Sequence, residues 1–291
     1  MSSADKPAVK GVIVAAGYGS RLLPITRVVP KELLPLVDRP AIDFIIDEFA
    51  AAGISDVLLI TSRRKRALED WFDRDPELEA VFEADGATAK LERARPPAVQ
   101  AFSVRQARMG GTGDALRLVR AFAGADPVVV AYPDDLFSGP NVSAALISAW
   151  SQTGASVLVA EDLTGTDVSR YGVLDAEREG DVLRVRGIVE KPAPGTEPSH
   201  WVTYGRYLYT PRFFEHLERR AAEHAAAGSG EFYPMGAMED LAAEGQLVSA
   251  ILQGERRDTG TTLGYVQAFV EEALARDDLG PELRTWLKER L

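Results

Sequence analysis

The sequence predicts an α/β protein built on a mixed, mostly parallel sheet flanked by helices, with a helical extension at its C-terminal end. Three observations carry this prediction. Apolar runs of strand length alternate with segments of helical period from about Val12 to Glu161, as in chained βαβ units. The connections between them are short, which favours parallel pairing with helices on both faces. After about Tyr171 the alternation loosens, and the chain closes on two helix-period segments split by Asp277-Asp278-Leu279-Gly280.

Taken in order, Val12–Ala15 reads as a buried strand and Ile42–Ala52 as a helix ended by Gly53, whose freedom at positive φ suits a C-cap. Asp56–Thr61 is a second strand, followed by a helical stretch toward Asp73. Ala98–Arg105 is a third strand, Gly113–Phe122 a helix, Pro127–Tyr132 a fourth strand, Ser143–Gln152 a helix and Ser156–Glu161 a strand. In the second half, Val182–Glu190 and Val202–Tyr209 read as strands around the Pro-rich turn Lys191–Pro198. Helices are expected at Arg212–Ala226 and Gly236–Ala243, and a last strand at Leu247–Gln253. The tail is Leu263–Ala275 and Pro281–Leu291. No internal repeat or long linker interrupts the chain, so one domain over 1–291 is expected.

Composition narrows the function. With 291 residues, 46% of them hydrophobic, the chain can bury a sizeable core. No apolar run approaches the roughly 20 residues a membrane helix needs, and Met1–Lys10 is polar, without a signal-like stretch. Cysteine is absent, which excludes disulfides, thiolate metal sites and cysteine nucleophiles. A cytoplasmic enzyme is the expectation. The net charge of −11 argues against nucleic acid as a partner; the one short basic run, Arg63-Arg64-Lys65-Arg66, reads as a solvated first turn of a helix. Any cations that handle phosphate must then be individually placed. His200, His216 and His224 share no metal-ligand spacing and read as structural or surface residues.

The first strand runs into Ala15-Ala16-Gly17-Tyr18-Gly19-Ser20-Arg21-Leu22-Leu23-Pro24. Glycines here let backbone N–H groups approach a phosphate or base, and Arg21 adds a cation. The third glycine of a dinucleotide loop is missing, since Leu22 stands in its place. Lys31 follows in Pro30-Lys31-Glu32-Leu33-Leu34-Pro35-Leu36, so one proline-stiffened segment holds two separated cations, as a triphosphate requires. Asp134, in Tyr132-Pro133-Asp134-Asp135, ends the fourth strand, where open α/β sheets place their ligands.

Together, G-x-G-S-R-L-x-P and P-K-E-L-L-P-L resemble the signature of the sugar nucleotidylyltransferase family, most closely its bacterial uridylyltransferases, and the likeness extends over essentially the whole chain. The resemblance implies a Rossmann-like fold of the nucleotide-diphospho-sugar transferase type, with a nucleotide-binding half over 10–160, a sugar-binding half over 161–261 and C-terminal helices over 262–291. It implies Mg2+-assisted transfer of a uridylyl group from UTP to glucose 1-phosphate. It assigns catalytic roles to Arg21, Lys31, Asp134 and Lys191, and metal binding to Asp134 and Asp258. Nucleotide contacts fall to Ala15, Ala16, Gly17, Gly19, Ser20, Gln106 and Gly111, the last two reading uracil. Gly172, Glu190, Lys191 and Glu231 fall to the sugar. The C-terminal helices imply a homodimer or homotetramer.

Some positions depart from the family pattern. Arg27 stands where a lysine is usual, Gly110 replaces a lysine and Asp114 a histidine. In Gly230-Glu231-Phe232-Tyr233-Pro234-Met235-Gly236 the usual glutamine and aspartate have become Tyr233 and Gly236. These leave open another nucleotide (dTTP foremost), another sugar 1-phosphate, or a catalytically silent sugar-nucleotide-binding subunit.

Overall fold

In the computed structural model the described residues are 8–228 and 230–290. The polar segment Met1–Lys10 is therefore covered only from residue 8, and Leu291 of the expected last helix lies outside the described residues.

The first half opens with β1 (Lys10–Val14), the short hairpin β2 (Pro35–Leu36) and β3 (Arg39–Pro40), α1 (Ala41–Ala51) and β4 (Asp56–Thr61). It continues with α2 (Arg66–Asp70), α3 (Pro76–Ala84), α4 (Thr88–Ala94), β5 (Gln100–Arg105), α5 (Thr112–Arg117), α6 (Arg120–Ala123) and β6 (Val128–Ala131). Then come β7 (Asp135–Ser138), α7 (Val142–Thr153) and β8 (Ser156–Asp162). The second half holds β9 (Gly172–Glu179), β10 (Val182–Glu190), β11 (Trp201–Tyr209), α8 (Pro211–Ala227), α9 (Met235–Ala243), β12 (Leu247–Ile251), β13 (Glu255–Asp258), α10 (Thr262–Ala275) and α11 (Gly280–Lys288).

Nine strands form one sheet in the order β5-β4-β1-β6-β11-β8-β12-β10-β9. Pairing directions make β11 and β10 antiparallel to their neighbours, while the other seven strands run one way. The sheet is thus mixed and mostly parallel, as expected. Its far end curls, because β9 pairs with β10 and also returns to β11 at Val202 and Thr203.

Strand alternation divides the core into two layers. Val12, Val128 and Val130 face α5, α8 and α9 with Leu116, Phe213, Leu217 and Leu241. Ile13, Val129 and Ala131 face α1, α7 and α10, where Ile42, Ile45, Phe49 and Leu146 lie. Helix α1 repeats its buried residues at Ile42, Ile45, Ile46 and Phe49, the spacing of a single helical stripe. Asn141 caps α7 by accepting from the Ala144 N–H, and Gly154 ends it in the left-handed region.

Sequence and structure differ where periodicity is weak. The helix expected over Gly113–Phe122 is broken into α5 and α6, because Leu118 and Val119 donate to residues three back rather than four. Helix α3, with Asp75 as its cap and Pro76 in its first turn, and α4 were not expected. Neither was β9, whose second half is an exposed, charged run. The short ladder β7–β13 also escaped the apolar pattern.

A buried ion pair ties the layers together. The Arg206 side chain on β11 is fully buried and grips both carboxylate oxygens of Glu48 on α1, at 2.9 and 2.8 Å. Ser143 of α7 donates to the same carboxylate. Removing one partner of such a pair leaves a buried charge without compensation. Glu48→Gln is expected to lower stability by about 3 kcal/mol, read as a shift of the urea midpoint at unchanged slope; a shift under a third of that would show the pair to be dispensable.

Candidate functional site

The signature segment is shaped by its glycines and prolines. The Ala15 N–H donates to the Ile60 carbonyl at 2.8 Å, so strand pairing carries Ala15 and Ala16 into the interior before the chain emerges at Gly17. Gly19 lies at φ 67°, and a side chain there would press on Thr26 at 3.1 Å. The Thr26 hydroxyl closes this turn by donating to the Gly19 carbonyl at 2.8 Å. Three single 3-10 turns follow, at Ser20–Leu22, Ile25–Arg27 and Lys31–Leu33, separated by Pro24 and Pro30. They leave Ser20 and Arg21 exposed and aim Lys31 across the sheet end, where its Nζ lies 2.7 Å from Asp134 Oδ2.

Glu32 beside it is 1% exposed, and both its oxygens accept from Lys65 Nζ at 2.7 and 2.8 Å. This corrects the expectation of a solvated basic turn over Arg63–Arg66. The arginines are exposed, but Lys65 is 5% exposed and anchors the signature loop. Burial lowers the Lys65 pKa, with Glu32 opposing that shift. The signal available in the sequence was a lone acid inside an apolar, proline-bounded run.

The second carboxylate arrives through the β7–β13 ladder, which sets Asp258 opposite Asp135. The Thr259 N–H and hydroxyl donate to the Asp134 carbonyl at 2.8 and 3.1 Å, which ties the two turns. A Cβ added at Gly260 would lie 2.9 Å from Asp134 Oδ2 and 3.1 Å from Asp258 Oδ1, so both carboxylates face one space that only glycine leaves open. Adjacent aspartates are tuned in opposite directions. Burial works to raise Asp134, but the Lys31 ammonium, its hydrogen bond and Arg21 hold the group below the usual range. Burial pushes Asp135 up to about 6 even though Arg256 pairs with it. Arg256 in turn lies over the Tyr204 ring at 4.3 Å and 3.5 Å from Asp258 Oδ2.

Among the described residues no three His, Asp or Glu side chains gather as a metal cluster. Asp134 and Asp258 offer two hard oxygen ligands, the small protein share that a cation such as Mg2+ takes when phosphates and water complete its shell. The donor chemistry fits.

Gln106 follows β5, and its backbone N–H extends the strand by donating to Thr61 at 2.9 Å. Its side-chain Nε2 donates to the Gly111 carbonyl at 3.1 Å and to Asp114 Oδ2 at 3.0 Å. Gly111 lies at φ 95°, and a Cβ there would sit 2.4 Å from the Phe232 carbonyl oxygen. Phe232 straps this loop, donating to Gly110 at 2.7 Å and accepting from the Gly113 N–H at 2.9 Å. The strap carries Glu231 and Tyr233, whose hydroxyl donates to the Glu231 carboxylate.

On the opposite wall Gly172 pairs with Glu190 across β9 and β10, and a Cβ at Gly172 would lie 3.2 Å from Glu190 Oε2. Lys191 adopts φ 49°, a left-handed turn in which its N–H donates to the Tyr171 carbonyl at 2.9 Å. Its Nζ lies 3.2 Å from Glu190 Oε1. One cleft is lined by Arg21, Asp134, Gly172, Glu190, Lys191 and Asp258. Gly17, Ser20 and Lys31 line an adjoining hollow with Arg64 and Lys65. Gln106, Gly111 and Glu231 line neither.

The sequence reading gave no site role to Arg170, Tyr132, Tyr207 or Arg256, which stand in the cleft wall. Tyr132 and Tyr207 meet edge to face at 5.8 Å, and burial raises both hydroxyl pKa values. On an apolar strand such tyrosines read as core, so only the strand end hinted at them.

The chain is similar to known proteins over almost its whole length. The chain is 36% identical over 284 residues to the UTP–glucose-1-phosphate uridylyltransferase of Staphylococcus epidermidis, covering 96% of this chain and 97% of the relative. It is 37% identical over 284 residues to UTP–glucose-1-phosphate uridylyltransferase 2 of Staphylococcus saprophyticus, with the same coverage. The structure of UTP-bound UGPase from Acinetobacter baumannii superposes with a TM-score of 0.87 at 30% identity, over 98% of this chain and 100% of that one. Residues 10–274 match the family described as Nucleotidyl transferase, and with that span covering the loop, the paired carboxylates and both walls of the cleft, the chain belongs to this family.

Proposed function

We propose that this protein transfers the uridylyl group of UTP to glucose 1-phosphate, releasing pyrophosphate and UDP-glucose. The observation that carries the reading is the meeting of Lys31, Asp134 and Asp258 at the ligand end of the sheet. The relatives named for this reaction support the choice of substrates.

The chain's own residues have a limited chemical task. An oxygen of the sugar phosphate attacks the α-phosphorus in line, and it is already ionised at pH 7, so no general base is required. What the reaction needs is alignment and neutralised charge. Arg21 and Lys31 hold the triphosphate and the departing pyrophosphate, Lys31 exchanging Asp134 for phosphate oxygen. Lys191 steers the sugar phosphate, and Gly172, Glu190 and Glu231 meet the sugar. Backbone groups of Ala16, Gly17, Gly19 and Ser20 border the nucleotide, beside Ala15, whose own N–H is committed to the sheet. Gln106 and Gly111 read the base. Asp134 and Asp258 would hold Mg2+, which supplies charge neutralisation at the phosphates when bound.

Residues 10–160 form the nucleotide side of one domain, residues 161–261 the sugar side, and the described part of 262–291 carries the C-terminal helices. Leu263, Val266, Phe269 and Trp286 are exposed apolar residues on those helices and suit a homodimer or homotetramer. Among the described residues no helix is long and apolar enough to cross a membrane, and a cytoplasmic setting suits the substrates. One observation favours a second sugar: Tyr233 occupies the Glu231 carboxylate where a free acid would meet hydroxyls.

Pyrophosphate release across UTP, dTTP and CTP with a panel of sugar 1-phosphates tests the reading. Activity is expected to be highest with UTP and glucose 1-phosphate and lost on chelation of divalent cations. Binding of UDP-glucose without turnover on any pair would make the chain a silent binder instead. Asp134→Asn is expected to fold normally and lose at least about 10²-fold in kcat; near-normal turnover at saturating Mg2+ would remove Asp134 from the site. Light scattering is expected to give two or four chains per particle, reduced by Leu263→Asp; a monodisperse single chain before mutation contradicts the oligomer.

A further inference from the structure

A glutamine side chain presents a donor on one side and an acceptor on the other, and half a turn of the amide exchanges them. Left free, Gln106 would suit many base edges equally. It is not free. Its Nε2 lies 3.1 Å from the Gly111 carbonyl oxygen and 3.0 Å from Asp114 Oδ2. A carbonyl and a carboxylate can only accept, so the nitrogen must face them, and both of its protons are used. The bond to the carboxylate is charge-assisted, which strengthens the preference. Asp114 sits in the first turn of α5, and its carboxylate lies where a Cβ at residue 110 would come within 2.8 Å of Oδ2. Gly110 therefore makes room for it. Gln106 Oε1 accepts from no group among the described residues and is not among the atoms sealed from solvent without a partner.

We infer that Asp114 is a positioning residue for nucleotide choice: it holds Gln106 with its acceptor outward, so that the base site requires a ring N–H. Uracil and thymine carry that proton at N3. Cytosine has a lone pair there, and two acceptors would face each other with no hydrogen between them. The loss is that of a hydrogen bond plus a desolvated acceptor, which corresponds to about tenfold or more in preference. This inference rests on the reading of Gln106 as base-facing.

The test compares UTP with CTP, each with the same sugar 1-phosphate and Mg2+, in the wild type, Asp114→Ala, Asp114→Asn and Gln106→Ala, with melting curves to establish folding. The wild type is expected to prefer UTP. In Asp114→Ala the ratio of kcat/KM for UTP over CTP is expected to fall about tenfold or more, with the change on UTP carried mainly by KM. Asp114→Asn keeps an accepting oxygen and is expected to restore the ratio to within about threefold of wild type. A folded Asp114→Ala whose ratio stays within about twofold of wild type overturns the role of Asp114 while leaving the base-facing reading standing. If Gln106→Ala leaves kcat/KM for UTP unchanged, the base-facing reading fails, and the inference with it. Should Asp114→Ala not fold, Asp114→Ser removes the carboxylate with a smaller change in volume and is judged on the same ratio.

Discussion

Gly205 has no room for a side chain. It lies at φ 66° within β11, and a Cβ there would stand 2.4 Å from the Cβ of Asp135. The ladder between β11 and β8 shifts register between Thr203 and Tyr207, around this glycine. Asp135 fills the space so created, and that lets β7 start directly after the turn that ends β6. Asp134 is thereby left facing the cleft, while the β7–β13 ladder brings Asp258 alongside. The paired carboxylates therefore depend on a close contact between the inverted strand and a neighbouring turn. Any larger residue at 205 would meet both the strain of positive φ and that overlap.

Electrostatics explain how a chain of net charge −11 can handle anionic substrates. Two of its acids are withdrawn from the field of the site by burial against a cation: Glu32 on Lys65 and Glu48 on Arg206. Asp135 is occupied by Arg256. In the cleft and beside it, Arg21, Lys31 and Lys191 then stand against Asp134, Glu190 and Asp258, with Lys31 held on Asp134 and Lys191 on Glu190. Placement, more than total charge, decides what the cleft attracts.

Much of this was legible in the sequence. Repeated apolar runs located β1, β4, β6 and β8 to within a residue or two, because buried parallel strands are apolar on both faces. The glycines and prolines of the signature segment foretold a loop instead of a helix, while the ion pair of Lys31 with Asp134 was not read from the sequence. What stayed hidden were pairings between residues far apart in the chain. Nothing in Arg63-Arg64-Lys65-Arg66 marks the lysine as the buried member, since its partner lies 33 positions earlier. Strand β9 was invisible because its polar half lies on the sheet edge, where no alternation is required. The hydrogen bond that commits Gln106 to Asp114 depends on a turn geometry that composition does not encode.

The position of β11 has a further consequence during synthesis. It lies between β6 and β8, although both of those are made before it. A nascent chain that has emerged only as far as β8 must keep open a gap one strand wide, with β6 left as an unpaired edge. Trp201–Tyr209 then enters as the keystone, and Asp258 arrives later still. Until then β6 presents an open edge of the kind that invites a non-native neighbour.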